Sequence, residues 1–144
     1  MSVASDQIQW LVVRNHSSFL CKRTLDAGKD RKRTVFTKEP NNVASLNSYK
    51  FNGLINAKTM GLEGIDSERG GVRLVLKSKK YATRQRPSKS TSEVQLTRDF
   101  KRVARSVKAA ANRSGYRPDL ADHAVAKWAA IYRSQNVEED EETE

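Results

Sequence analysis

A single cysteine, Cys21, is all that 144 residues offer toward thiol chemistry. One thiol closes no internal disulfide, and no CxxC or Cys/His spacing surrounds it to hold zinc. The two histidines, His16 and His123, are too few for a His-based metal site. This cysteine usage fits the reducing cytosol or nucleus. No run of roughly 18 apolar residues exists to span a bilayer. The N-terminus lacks the basic stretch followed by an apolar one that marks a secretory signal. Gly61-Leu62-Glu63-Gly64 and Gly70-Gly71 are not followed by Gly-Lys-Ser/Thr, which excludes a phosphate loop. His16 and Cys21 lie five apart, but read as a surface imidazole and a buried thiol rather than a dyad. Carboxylates before the C-terminal tail are scattered, often beside a base, as in Asp26–Lys29 and Glu68–Arg69. The expectation is no enzyme, no cofactor, no metal and no small-molecule substrate.

Acid is scarce until the end of the chain. Six of the 17 Asp and Glu residues fall at 138–144, so residues 1–137 carry 27 basic and 11 acidic side chains. A compact body with that excess repels itself until a polyanion neutralises it, and nucleic acid is the default polyanion. The apolar supply, 37% of residues, suffices for one thin core and leaves many side chains to face a partner.

Along the chain, residues 5–13 suggest a short helix capped by Ser5 or Asp6, although Trp10-Leu11-Val12-Val13 also reads as a buried strand. Residues 19–23 and 34–37 look like strands joined by a long polar loop. Residues 48–52 alternate as a strand and stop at Gly53, and 59–62 give a weaker one. Residues 72–77 form a half-buried strand, with Val72, Leu74 and Leu76 on one face and Arg73, Val75 and Lys77 on a mostly cationic other. Residues 77–89 hold six bases and no acid, and should be extended. A first helix follows, with Ser92 and Gln95 as capping box and Gly115 as stop. Its apolar stripe is Phe100, Val103, Ala104, Val107, Ala110 and Ala111. A second helix opens near Pro118 or Asp119 and turns Leu120, Ala124, Val125, Trp128, Ile131 and Tyr132 to one face. Trp10 and Trp128 read as core anchors. The class is α+β: a small antiparallel sheet with a short N-terminal helix, a basic extended linker and two C-terminal helices. The divisions are a sheet domain at 1–76, the linker at 77–92, a two-helix region at 93–136 and a disordered acidic tail at 137–144.

Folded RNA is held through phosphates and 2′-hydroxyls, which calls for cations on a rigid face and on arms that thread between helices. The rigid face is Arg98, Lys101, Arg102, Arg105 and Lys108, roughly 150° from the apolar stripe by helical geometry. Asp99 is the only acid between 94 and 117, so this stripe is more than a solvated helix face. The arm is Lys77, Lys79, Lys80, Arg84, Arg86 and Lys89, with Tyr81 available to stack. The arm also reads as a nuclear localisation signal, which does not conflict with RNA contact. Tyr49 and Phe51 are not framed by an RNP-type aromatic pattern, which argues against base readout on a sheet.

Seven stretches then resemble, in order, the eukaryote-type family of large-ribosomal-subunit protein twenty-eight: QWLVVRNHSSFLCKR at 9–23, TKEPNN at 37–42, NSYKFNGLI at 47–55, KTMG at 58–61, GVRLVLK at 71–77, YRPDL at 116–120 and RSQ at 133–135. The resemblance implies an α+β protein of the large subunit that contacts ribosomal RNA and neighbouring ribosomal proteins, without catalytic activity. It adds Arg14, Asn15, Lys22, Arg23, Lys50, Asn52, Lys58, Lys77 and Arg117 as RNA or interface residues. It also implies a ribosomal, cytoplasmic location reached through nuclear and nucleolar assembly. Two departures stand out, the basic insert at 28–33 and the acidic end where animal members look basic. The rivals are an assembly factor, whose nearest family carries several metal-spaced cysteines, and a DNA- or chromatin-binding protein.

Overall fold

The computed structural model describes residues 5–21, 35–65, 70–77, 87–97 and 99–142, without side chains at 87–88 and 137–142. Helix α1 spans Asp6–His16, with Asp6 in its first turn and Arg14 and His16 in its last, the order that complements the helix dipole. None of its residues is buried. Trp10 is therefore not the core anchor expected of it: the ring lies half-buried and tilted against Tyr49, centroids 6.2 Å apart.

Two short strands, β1 (Leu20–Cys21) and β2 (Phe36–Thr37), pair antiparallel with Leu20 opposite Thr37. The expected loop between them lies outside the described residues. Three further strands form an antiparallel meander in the order β3 (Met60–Gly64), β4 (Val72–Lys77), β5 (Thr91–Leu96). A single helical turn, α2 (Pro87–Ser90), leads directly into β5. Helix α3 (Phe100–Asn112) ends where Ser114 and Gly115 take left-handed φ of 52° and 60°, a reversal that suits glycine. A 3-10 turn at Pro118–Leu120 then opens α4 (Ala121–Glu142).

The core joins Met60, Leu62, Val72 and Leu74 of the sheet to Val103, Val107 and Ala111 of α3 and to Leu120, Ala121, Ala124 and Trp128 around α4. Trp128 is 1% exposed, donates its indole N–H to the Phe100 carbonyl at 3.2 Å, and packs against Phe100 and Tyr132. At the far edge, Gln135 of α4 accepts from Gly71 N–H and donates to the Ile65 and Gly71 carbonyls, which ties the helix to the end of β3 and the start of β4.

Four further sequence expectations change. Residues 91–96 are strand, not linker end or helix start. Leu74 faces Val94 and Val72 faces Leu96, and this apolar pairing across the ladder outweighs the capping-box signal of Ser92 and Gln95. Residues 48–52 form turns, because Ser48 O accepts from Phe51 and Asn52 N–H while Asn52 Oδ1 accepts from Leu54 and Ile55 N–H. Local side-chain bonding of this kind competes with a strand ladder. The outer face of β4 is not a free cationic surface: Val75 is 6% exposed, and Arg73 stands 3.9 Å from both Glu63 and Glu93 on the flanking strands. Finally, α4 runs on through Glu142, so the acids at 138–142 extend a helix. Glutamate is a good helix former, and no glycine or proline after Pro118 interrupts the run.

Candidate nucleic-acid interface

The loop at 49–58 is held in shape by one anion and two cations. Glu39, 7% exposed, accepts from Asn42 Nδ2 at 2.7 Å and Gly53 N at 3.1 Å on Oε1, and from Asn52 Nδ2 at 2.8 Å on Oε2. Burial raises its carboxyl pKa, and the bonds from Asn42 and Gly53 oppose that rise without cancelling it. Gly53 must be glycine here, since a Cβ would lie 2.0 Å from the Pro40 carbonyl oxygen.

Lys77, at the end of β4, donates to the carbonyls of Gly53, Leu54 and Asn56 at 3.0–3.3 Å. Arg117 reaches the loop from the opposite end. Its Nη1 donates to Lys58 O at 2.9 Å and its Nη2 to Lys50 O at 2.8 Å, while Nε and Nη2 grip Asp119 at 2.9 Å each. That grip holds the Asp119 carboxyl below the usual carboxylate range. The Tyr116 hydroxyl lies within hydrogen-bond distance of Thr59 O (2.9 Å) and Lys77 O (2.7 Å), joining the same junction to the sheet. Three proposed RNA residues thereby gain structural roles: Asn52, 2% exposed, anchors the loop beneath its surface, and the charged heads of Lys77 and Arg117 bind backbone carbonyls.

What the loop presents is different. Lys50 is exposed, 3.3 Å from His123 Nε2 and over the Phe51 ring; Lys58 contacts Gly115 O at 3.3 Å and sits over Tyr116. Each ammonium has further N–H donors beyond these contacts. With Tyr49, Asn56, Ala57, Asp6, Arg117 and Asp119 they line an open cleft of about 540 Å3. Phe51 is half-buried edge-on against His123, whereas Tyr49 is 39% exposed.

The second surface is the exposed side of α3. Lys101, Arg102, Arg105 and Lys108 all face solvent, opposite buried Val103, Val107 and Ala111. Arg102 pairs with Asp99 at 3.7 Å and Lys108 with Asp122 at 3.3 Å, both highly exposed contacts of the kind that contributes little and yields to competition. Lys101 and Arg105 have no carboxylate partner among the described residues. Arg14, Asn15 and Lys89 are exposed but stand on α1 and α2, away from α3 in the chain. Lys22, Arg23, Lys79, Lys80, Tyr81, Arg84, Arg86 and Arg98 lie outside the described residues, as do the 28–33 insert and most of the basic arm. Among the described residues no group of three His, Cys, Asp or Glu side chains could hold a metal, and no helix is long and apolar enough to cross a membrane.

Sequence reading missed Glu39, Asp6, Asn56, Tyr116 and Asp119. Tyr116 and Asp119 lie within the recognisable YRPDL stretch, and Glu39 within TKEPNN; Asp6 was legible only as a helix cap, and Asn56 carried no signal.

The model of the ribosomal L28e protein family matches residues 8–134, from the first turns of α1 to well inside α4. The chain is also 35% identical, over 136 residues, to large ribosomal subunit protein eL28 of Schizosaccharomyces pombe; the match covers 94% of this chain and 95% of that protein.

Proposed function

This chain belongs to the ribosomal L28e protein family, with a structural and not a catalytic role, and from that premise we propose how it binds. It is a constituent of the large ribosomal subunit that grips ribosomal RNA through the α3 stripe and the rim of the 49–58 loop. Neighbouring ribosomal proteins complete its surroundings, and it reaches the cytoplasmic ribosome through nucleolar assembly. The basic arm adds further phosphate contacts through Lys79, Lys80, Arg84, Arg86 and Lys89.

The observation that carries this reading is the sorting of cations. Lys77 and Arg117 are bound to loop carbonyls, whereas Lys101 and Arg105 stand exposed on a rigid helix without acid partners among the described residues. A solvated helix face is normally balanced by acids at neighbouring turns; this one has only Asp99 at its start. A regular row of cations on a stiff rod suits a phosphate backbone, which positions without reading sequence.

The test is incorporation. A tagged chain with Lys101, Arg102, Arg105 and Lys108 all changed to Gln should shift from large-subunit to free-protein fractions in sucrose gradients, while retaining its circular dichroism spectrum. Undiminished occupancy of large subunits by the folded variant would overturn the assignment of α3.

A further inference from the structure

The cleft beside the 49–58 loop is built for more than phosphate. Its lining combines an aromatic residue that is 39% exposed (Tyr49), two lysines (Lys50, Lys58), a carboxylate (Asp6) and an amide (Asn56). A site for phosphate alone would not place carboxylates in its lining, since they repel the anion. Asp119 is neutralised in place by Arg117 at 2.9 Å on both oxygens, but Asp6 makes no hydrogen bond or ion pair among the described residues. Asn56 directs both its Nδ2 bonds, at 2.8 and 2.9 Å, to the carbonyls of Tyr49 and Asn52, which leaves Oδ1 as an acceptor. The lining therefore asks for a ligand that is flat, carries N–H donors on one edge, and brings phosphates with it.

We propose that this cleft receives one unpaired guanine nucleotide of single-stranded RNA, its base stacked on Tyr49, its N1–H and N2–H groups given to Asp6, and its flanking phosphates met by Lys50 and Lys58. Guanine is singled out because its two adjacent N–H donors match one carboxylate, where adenine and cytosine present an amino group beside a ring acceptor and uracil a single N–H. About 540 Å3 lies within the range of roughly 300–1,000 Å3 typical of small-ligand pockets. Sequence-specific RNA recognition works on splayed-out bases stacked on aromatic rings, which is what a rigid, open cleft with one exposed ring can supply. Arg117 acts here as a positioning residue: by holding Lys50 O and Lys58 O it fixes the spacing of the two lysines that flank the pocket. The proposal rests on the ribosomal-RNA reading above and deepens it, adding one base-specific contact to a surface otherwise indifferent to sequence.

The experiment measures binding of the full chain to labelled single-stranded heptamers, one a run of uridines and the others carrying a central G, A or C. A folded ribosomal-RNA fragment serves as reference. Wild type should prefer the G heptamer by roughly tenfold. Tyr49→Ala should weaken all four roughly ten- to hundredfold, in line with removal of a stacking ring, while Tyr49→Phe keeps the affinity. Asp6→Asn, a surface change that leaves the fold alone, should erase the preference for G and leave the uridine heptamer unaffected. Equal binding of all heptamers by wild type, or a preference that survives Asp6→Asn, overturns the proposal. If folded RNA still binds with its normal salt dependence in that case, the general RNA reading stands; if wild type binds no RNA at all, both fall. Free guanosine monophosphate binding as tightly as the G heptamer would assign the cleft to a nucleotide ligand and remove RNA from the proposal.

Discussion

Glu39 carries the most structure for one side chain. Its two oxygens take three N–H donors from Asn42, Asn52 and Gly53, so the carboxylate is acceptor-only by necessity. Glu39→Gln would turn an amide donor toward at least one of those donors. The loss of an accepted bond inside a buried site should cost about 1–3 kcal/mol, read as a lower thermal midpoint by circular dichroism. The substitution also removes the expense of burying a charge, so a midpoint equal to or above wild type would show that desolvation outweighs the three bonds. Asp119 works in the opposite direction on the pH axis. Arg117 holds its folded pKa below the unfolded value of about 3.9, so its contribution is present above that value and fades as pH falls through the lowered one. Asp119→Asn should therefore be less stable than wild type at neutral pH, with the two denaturation midpoints converging in acid well below pH 4. For Glu39 the folded pKa is raised by burial, so the ionised form is the costly one and its penalty eases as the medium becomes acidic.

At the scale of elements, stability lies where the sheet meets the two long helices. Trp128 is enclosed by Phe100 and Tyr132 and bonded to a backbone carbonyl of α3. Trp128→Ala should cost about 3–5 kcal/mol, measured by urea denaturation, and Trp128→Phe appreciably less. Trp10→Ala should cost much less than Trp128→Ala, because α1 buries no residue. The same contrast explains which elements were legible in the sequence. The α3 stripe of Val103, Val107 and Ala111 and the alternation of Val72 and Leu74 come from burial on one side, and burial writes a period into the chain. Strand β5 leaves no such record: among the described residues it pairs only with β4, at the edge of its sheet, and its Val94 is 44% exposed. The turns at 48–52 misled in the other way, since alternation suggested a strand while Asn52 was already engaged with its own backbone. The cleft was hidden for a further reason. Asp6, the 49–58 loop and the 117–119 segment lie far apart in sequence; Arg117 joins the last two, and α1 reaches the loop through Trp10 against Tyr49 and through Asn47, which donates to Arg14 O.

For the whole molecule, the chain divides its cations by task. Those at Lys77 and Arg117 hold backbone carbonyls, those on α3 face outward, and the acids outside the C-terminal run are too few to balance the remainder. Such a body is self-repelling in dilute buffer and is relieved by a polyanion. The most direct measurement of this account is the salt dependence of binding to large-subunit ribosomal RNA, compared between wild type and the chain with Lys101, Arg102, Arg105 and Lys108 changed to Gln. A phosphate grip predicts a steep linear fall of log affinity with log salt for wild type, with a slope shallower in the variant by about 0.7–0.9 for each phosphate no longer neutralised. Equal slopes for the two proteins, or no binding by wild type even at low salt, would contradict it.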